Sequence, residues 1–277
     1  MKLGRRQFLQ GAALLTAGAA VAPAARAAVD DDPRVQEVEF RLPDLDPAHD
    51  GLRVAQLSDL HVGTRTPPER IAAAIALASS LQPDLVVLTG DYLSRGRETV
   101  ALLPEQLRGL TAPTVAVLGN HDHWVDAAGT TRALSKLGYD VLRNQHTRLR
   151  LRGAPLSVVG VDDLLTGHAD PERALAGVPR GSRLVLAHGP RTADRLRGAG
   201  EPLLVLTGHT HGGQIAIPIV TRLLLSALVR EPYLRGHFHL GPVQLYVNRG
   251  IGNTAFRLRV NSDPEVTLAT LRREEPA

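Results

Sequence analysis

The run Asp84-Leu85-Val86-Val87-Leu88-Thr89-Gly90-Asp91 decides how this chain folds. Leu85 to Leu88 are all branched aliphatic residues and leave no polar face for water. A strand of this kind is covered on both sides, as in the sheets of α/β proteins. It stops at Thr-Gly-Asp, so a carboxylate stands just beyond its end. The same pattern recurs along the chain. Residues 52–57 lead into Ser58-Asp59-Leu60-His61, and 114–118 into Gly119-Asn120-His121-Asp122. Residues 184–187 lead into His188-Gly189, and 203–207 into Gly208-His209-Thr210-His211-Gly212-Gly213-Gln214.

Helical stretches separate these strands. Pro67 and Pro68 open a helix over 69–81 that keeps Ile71, Ile75 and Ala78 on one face. Further helices are expected near 98–110 and over 126–137, the latter capped by Gly138. Shorter ones fit 171–176 and 192–197. Residues 35–42 alternate in polarity and read as a partly exposed first strand. Strands are expected over 141–151, 155–159, 243–247 and 265–271. The first half is thus β-α-β-α-β-α, and the second echoes it with more strands. This pattern predicts an α/β fold in which two mixed β-sheets pack face to face and are flanked by helices, a four-layer αββα sandwich. In such sheets the strand ends form a rim where ligand sites gather.

The 277 residues are 43% hydrophobic but only 3% aromatic, so Leu, Val, Ile and Ala must build the core. The formal charge of +4 is spread along the chain and reads mainly as solvated surface, with attraction to anionic lipid or a membrane surface as the alternative. No aromatic-basic interleaving marks a nucleic-acid partner. The chain has no cysteine, which excludes disulfides, thiolate metal sites and cysteine nucleophiles.

The N-terminus carries its own message. Gly4-Arg5-Arg6-Gln7-Phe8-Leu9-Gln10 precedes an apolar run over 11–22, and Ala25-Arg26-Ala27 offers a cleavage site. Paired arginines followed by Phe-Leu resemble the twin-arginine class of export signals. The expected division is a signal peptide over 1–28, a linker and first strand over 29–50, and the main domain over 51–277. Export by the twin-arginine translocation machinery would place the protein in the periplasm, outside the cell or on the envelope. A retained membrane anchor is the alternative.

The blocks at the strand ends supply carboxylate, amide and imidazole donors without sulfur, which suits first-row divalent metals. One arrangement uses every donor. Asp59, His61, Asp91 and His211 take one ion, while Asp91, Asn120, His188 and His209 take a second. Two ions about 3.5–4 Å apart can clamp the attacking and leaving oxygens of a displacement at phosphorus, with a bridging hydroxide as nucleophile. His121, next to Asn120, is placed to protonate the leaving oxygen, with Asp122 or Asp91 to orient it.

This ordered set, from Asp59 to Gln214, resembles the calcineurin-like metallophosphoesterase superfamily. Gly119-Asn120-His121-Asp122-His123-Trp124, Gly160-Val161-Asp162-Asp163, Tyr246-Val247-Asn248-Arg249-Gly250 and Pro264-Glu265-Val266 resemble its exported bacterial phosphodiesterase-like branch. The resemblance implies the four-layer fold, the two-metal assignment and His121 as proton donor. It also implies a phosphoester substrate, with a phosphodiester favoured and an envelope or lipid-derived one in view. The metals are two divalent ions, Mn, Fe or Zn. The alternatives are a phosphomonoesterase or nucleotidase with the same metals, or a non-catalytic metal-binding envelope protein. The tail departs from the branch, with Phe256-Arg257-Leu258-Arg259 standing where it carries a Pro and an Arg. Arg249 and Arg259 are the candidates for holding substrate phosphate, with a surface or core-rim ion pair as the alternative for Arg249. Asp162 and Asp163 read as supporting or turn residues, His123 as a pocket residue and Trp124 as packing. The apolar stretch 215–229 offers a lid or a lipid-facing surface, against the alternative of a buried helix.

Overall fold

The computed structural model describes residues 27–28, 32–63, 65–216, 231–254 and 258–274. Nearly all of the expected leader, and the apolar stretch from residue 217 onward, lie outside the described residues. Among the described residues, no helix is long and apolar enough to cross a membrane.

Two six-stranded sheets form the framework. The first runs, edge to edge, Arg34–Leu42, Glu265–Arg273, Leu52–Leu57, Leu85–Leu88, Thr114–Ala116 and Asp140–Val141. Its last four strands are parallel, and Glu265–Arg273 runs antiparallel to Leu52–Leu57. The second runs Gly236–Leu240, Val243–Val247, Leu203–Thr207, Arg183–Leu186, Ala154–Gly160 and Gln145–Leu151. Its four central strands are parallel and both edges antiparallel. Both sheets are mixed, as the sequence pattern predicts.

The pleat explains the layers. Successive residues of a strand face opposite sides. Leu85 and Val87 join Leu184, Leu186, Leu204 and Leu206 in a core between the sheets. Val86 and Leu88 turn the other way, onto the helix Pro68–Ser80 through Ile71 and Ile75. Val185 and Val205 face outward in the second sheet and are covered by Ala193 and Leu196. Three apolar layers therefore separate four layers of structure, giving the αββα sandwich.

Two expected elements differ, and one strand was not expected. A single helix over 98–110 is replaced by a 3-10 turn, Arg97–Leu102, and a short helix, Leu103–Gln106. Pro104 has no N–H to give to the carbonyl four residues back, so a continuous helix is interrupted there. The expected strand 141–151 is two strands in different sheets, Asp140–Val141 and Gln145–Leu151. Asn144 stands between them with φ 53 and turns the chain from one sheet to the other. The edge strand Gly236–Leu240 was not expected, because its two histidines break the apolar pattern.

Every parallel strand of the central group ends on the same rim. The loops beyond them stay tied together: Asp59 N–H donates to Gly90 O (2.9 Å) and His61 N–H to Asp91 O (3.0 Å). Ile251 N–H donates to Ser58 O (3.0 Å) and Gly252 N–H to Asp59 O (2.7 Å). These bonds carry the order of the sheet into the loops that hold the functional side chains.

Candidate metal centre

All seven residues singled out as metal donors gather on this rim. Donor atoms of Asp59, His61 and His211 lie within 4.8 Å of one another, as do those of Asp91, His188 and His209. Asp91 stands between the groups: its Oδ2 is 3.2 Å from His188 Nε2 and 3.7 Å from His61 Nε2. Asp59 Oδ1 is 3.3 Å from His211 Nε2.

Backbone partners decide which ring nitrogens face inward. His61 Nδ1 lies 3.2 Å from Leu93 O, His188 Nδ1 2.8 Å from Thr89 O and His211 Nδ1 3.2 Å from Gly252 O. A carbonyl only accepts, so His61 donates from Nδ1 and turns the lone pair of Nε2 to the cluster. His188, charged beside Asp91, donates from both nitrogens, and His211 Nδ1 lies 3.2 Å from Arg259 Nη2 as well as from Gly252 O. His61 Nε2 is 3.0 Å from His211 Nε2, and His188 Nε2 is 3.1 Å from His209 Nδ1.

The donors stand on strained backbone. Asp59, His61, Asp91, His209 and His211 all have positive φ, between 48° and 76°. For residues other than glycine this region costs about 1–3 kcal/mol each, and such strain collects at functional sites. Two glycines give the donors room. A Cβ on Gly208 would lie 1.9 Å from Ser58 Oγ and 2.3 Å from Asp59 Oδ2. A Cβ on Gly119 would lie 2.2 Å from Asp91 Oδ1.

The electrostatics ask for positive charge. Burial opposes ionisation of Asp91, yet the imidazoles of His188, His121 and His61 hold its carboxyl well below the ordinary value. Burial likewise opposes charge on Asp59, and His211 and His188 lower it despite this. Burial pulls His61 down to about 3 and His209 to about 4. Burial also disfavours a charged His188, but Asp91 outweighs it and lifts His188 to about 10. Asn120 is only 1% exposed, and neither Oδ1 nor Nδ2 has a hydrogen-bond partner among the described residues. A buried amide without partners costs about 1–3 kcal/mol, which coordination of its oxygen to a cation offsets. Converging imidazole nitrogens, buried carboxylates and an orphaned amide all fit divalent cations, by the chemistry of the donor set.

His121 sits over the cluster. Its donor atom lies within 4.8 Å of those of His61 and Asp91, and its ring meets His61 edge-on at 4.7 Å. Its Nδ1 is 3.1 Å from Ser94 O, which leaves Nε2 for chemistry. Asp91 Oδ1 accepts the His121 backbone N–H at 2.8 Å, so Asp91 fixes the start of the helix Asn120–Val125 rather than the imidazole.

Asp122 corrects the expectation that it orients His121. Its carboxylate accepts four backbone N–H groups instead: Asp91 and Gly119 on Oδ2 (both 2.9 Å), Tyr92 (2.9 Å) and Leu93 (3.1 Å) on Oδ1. Burial and the nearby Asp91 charge push it up to about 8, against the N–H bonds from Gly119 and Leu93, which favour the ionised form. Its role is to hold the 91–93 turn against the helix that carries Asn120. The Asp after Gly-Asn-His was visible in the sequence, but nothing there distinguished a ring partner from a backbone clamp.

Both candidate arginines have partners within the protein, and Arg249 takes the ion pair that was its alternative reading. Arg249 Nε is ion-paired with buried Glu265, which is also bonded by Tyr246 OH (2.7 Å) and Thr267 Oγ1 (2.6 Å). Arg259 is 3% exposed and donates to the carbonyls of Arg249 (3.0 Å), Ser262 (2.9 Å) and Gly252. Gly252 O also lies 3.2 Å from His211 Nδ1, and Arg259 Nη2 is 3.2 Å from that same nitrogen, so Arg259 braces a candidate donor from behind. Trp124 is 41% exposed and lies 5.1 Å from the His121 ring, at the mouth of the site rather than in packing. Asp162 is bonded by His123 Nε2 (2.7 Å) and Arg143 Nε (2.9 Å).

A two-sheet α/β sandwich with a buried carboxylate, imidazole and amide cluster at its strand ends is the architecture of a metallophosphoesterase. The chain belongs to the calcineurin-like phosphoesterase family, which matches it over residues 52–213. It is 32% identical to the metallophosphoesterase YkuE of Bacillus subtilis, over 98% of each chain. It is 35% identical to the phosphodiesterase YaeI of Escherichia coli, over 79% of this chain and 82% of that one. It is 30% identical to the UDP-2,3-diacylglucosamine pyrophosphatase LpxG of Chlamydia trachomatis, over 85% of this chain and 88% of that one. The protein is accordingly an enzyme of the metal-dependent phosphoric ester hydrolase class.

Proposed function

We propose that this protein hydrolyses a phosphodiester with two divalent cations held across Asp91. Asp59, His61, Asp91 and His211 hold one, and Asp91, Asn120, His188 and His209 the other. The observation that carries this reading is the position of Asp91 Oδ2, 3.2 Å from His188 Nε2 and 3.7 Å from His61 Nε2, one imidazole in each donor group. When bound, the cations supply Lewis-acid polarisation at phosphorus and a lowered pKa for water.

The chain's own residues do the rest. Leu93 O, Thr89 O and Gly252 O fix the rings of His61, His188 and His211, so the donor geometry is set before substrate arrives. His121, steadied through Nδ1 by Ser94 O, holds a proton at Nε2 for the leaving oxygen. Trp124 covers one side of that ring.

A diester is favoured because relatives named as a phosphodiesterase and as a pyrophosphatase both act at a phosphorus carrying two links. The diacylglucosamine in the latter name supports a lipid-derived envelope substrate. The paired arginines of residues 1–28 support export through the twin-arginine machinery as a leader, with action outside the cytoplasmic membrane.

Substitution of the shared carboxylate tests the reading. D91N is expected to lose metal from both groups. Its metal affinity should fall by more than the roughly 10–100-fold that loss of an outer partner costs. Turnover of a chromogenic phosphodiester should fall with it. A D91N protein that keeps two metals per chain and wild-type turnover would overturn the two-cation reading.

A further inference from the structure

A cleft of about 320 Å³ opens between Arg143, Asn144, Gln145, Asp162, His168 and Arg173. It lies on the rim of the metal cluster. Asp162 follows the strand Ala154–Gly160, parallel to the strand that ends at His188. His123, bonded to Asp162, is on the helix Asn120–Val125, three residues beyond Asn120. Gly160 pairs with Leu186, so Asp162 and His188 each stand two residues beyond the same register point on neighbouring strands.

Its walls are built rather than incidental. The Asn144 amide is saturated by loop backbone: Oδ1 accepts from Asp162 N (2.9 Å) and Asp170 N (3.0 Å), and Nδ2 donates to His168 O (2.7 Å). The rings of His123 and His168 are stacked at 4.1 Å with planes 16° apart. Both Asp162 oxygens are engaged, Oδ1 by His123 Nε2 and Asp163 N and Oδ2 by Arg143 Nε, so its charge is compensated. Arg143 spends only Nε on this contact, and its two terminal nitrogens have no protein partner among the described residues. Arg173 is exposed at the same cleft. Among the lining residues two guanidiniums face one compensated carboxylate, with Asp163 and Asp170 on the adjoining turns, and a guanidinium fork is suited to two-pronged binding of an oxyanion.

We propose that this cleft binds a second oxyanionic group of the substrate, a phosphate above all, while the scissile phosphoester lies at the metal cluster. The substrate class is then a phosphoester that carries a further phosphate a few bonds from the cleaved link. This deepens the hydrolase reading and rests on it.

Two chromogenic diesters test it with the metal-loaded protein: the 4-nitrophenyl phosphodiester of glycerol, and the same ester bearing a terminal phosphate on glycerol. Wild type should show the higher kcat/KM for the doubly charged ester. R173M and R143K should each lower the ratio of the two kcat/KM values at least tenfold. Arg173 is exposed, so R173M carries the test even if R143K disturbs Asp162. Crystals soaked in tungstate should show anomalous density between the Arg143 and Arg173 guanidiniums. An unchanged ester ratio in both variants, or no tungstate in the cleft, overturns the subsite. If wild type turns over neither ester, the hydrolase reading is what fails, and the tungstate result alone decides the cleft.

Discussion

His61 Nε2 and His211 Nε2 stand 3.0 Å apart, with ring planes inclined by 23°. His61 Nδ1 is held by Leu93 O, and His211 Nδ1 by Gly252 O and Arg259 Nη2. Both Nε2 atoms therefore converge on one buried point beside Asp59 and Asp91. A cation there replaces the contact between the two rings with a bond to each.

Metal removal should therefore cost stability. At a free metal concentration 100 times Kd, one site contributes about 2.7 kcal/mol to the folded state. For a chain of this size that is roughly 5–10 °C in Tm. Chelation of the purified protein, followed by Mn, Fe or Zn addition under differential scanning calorimetry, should lower and then restore Tm by this amount. No shift on chelation of a metal-bearing sample would contradict the account of the facing imidazoles.

Loss of the proton donor should separate chemistry from metal binding. H121Q is expected to keep its metals and lose about 10²–10⁴-fold in kcat. The loss should be smallest with a 4-nitrophenyl leaving group, which departs without help, and largest with an alkyl alkoxide. Steady-state kinetics over a series of leaving groups reads this directly. An equal loss across the series would argue against His121 as the acid.

Gly208→Ala places a methyl group on top of Ser58 Oγ and Asp59 Oδ2. Ser58 Oγ–H donates to Asp59 Oδ2 (2.6 Å), and the backbone N–H of His209 donates to the same oxygen (2.9 Å). The clash moves a donor and both of its supports. The variant is expected to fold, as judged by circular dichroism, and to bind less than the wild-type complement of metal by elemental analysis.

Asp162 ties the cleft to the helix of Asn120, and this tie should depend on pH. Burial opposes its charge, but the bonds from His123, the Asp163 N–H and Arg143 hold its carboxyl below the ordinary 3.8. A depressed folded pKa adds stability above the unfolded value, and that stability is lost as pH falls through the folded one. D162N should cost about 1.5–3 kcal/mol at pH 7, the scale of a hydrogen bond to a charged group. Denaturant titrations should show the gap between wild type and variant closing as pH drops below about 4.

The legible part of this protein is what one strand can say about itself. The run Leu85–Leu88 announces burial on both faces, and its alternate residues do line two different cores. The blocks after the strands announce their donors because side-chain chemistry needs no tertiary contact to be named. The arginines were less legible. Arg249 is ion-paired with Glu265 and Arg259 is solvated by three carbonyls, and side-chain type and spacing do not say that the chain turns back on itself to bring these partners in. The split of 141–151 between two sheets was hidden because strand pattern carries no information about which sheet a strand joins.

The sequence alone determined the kind of donors, their order, and their place at strand ends, because periodicity and side-chain type are local properties. Only the tertiary structure decided which nitrogen of each histidine faces inward and which donors take left-handed backbone. It alone made Asp122 a clamp on four N–H groups. His61 and His211 are 150 positions apart, and their 3.0 Å approach depends on two sheets packing face to face. The free energy of that packing, spread over dozens of apolar side chains, is what holds strained donors in register for a cation.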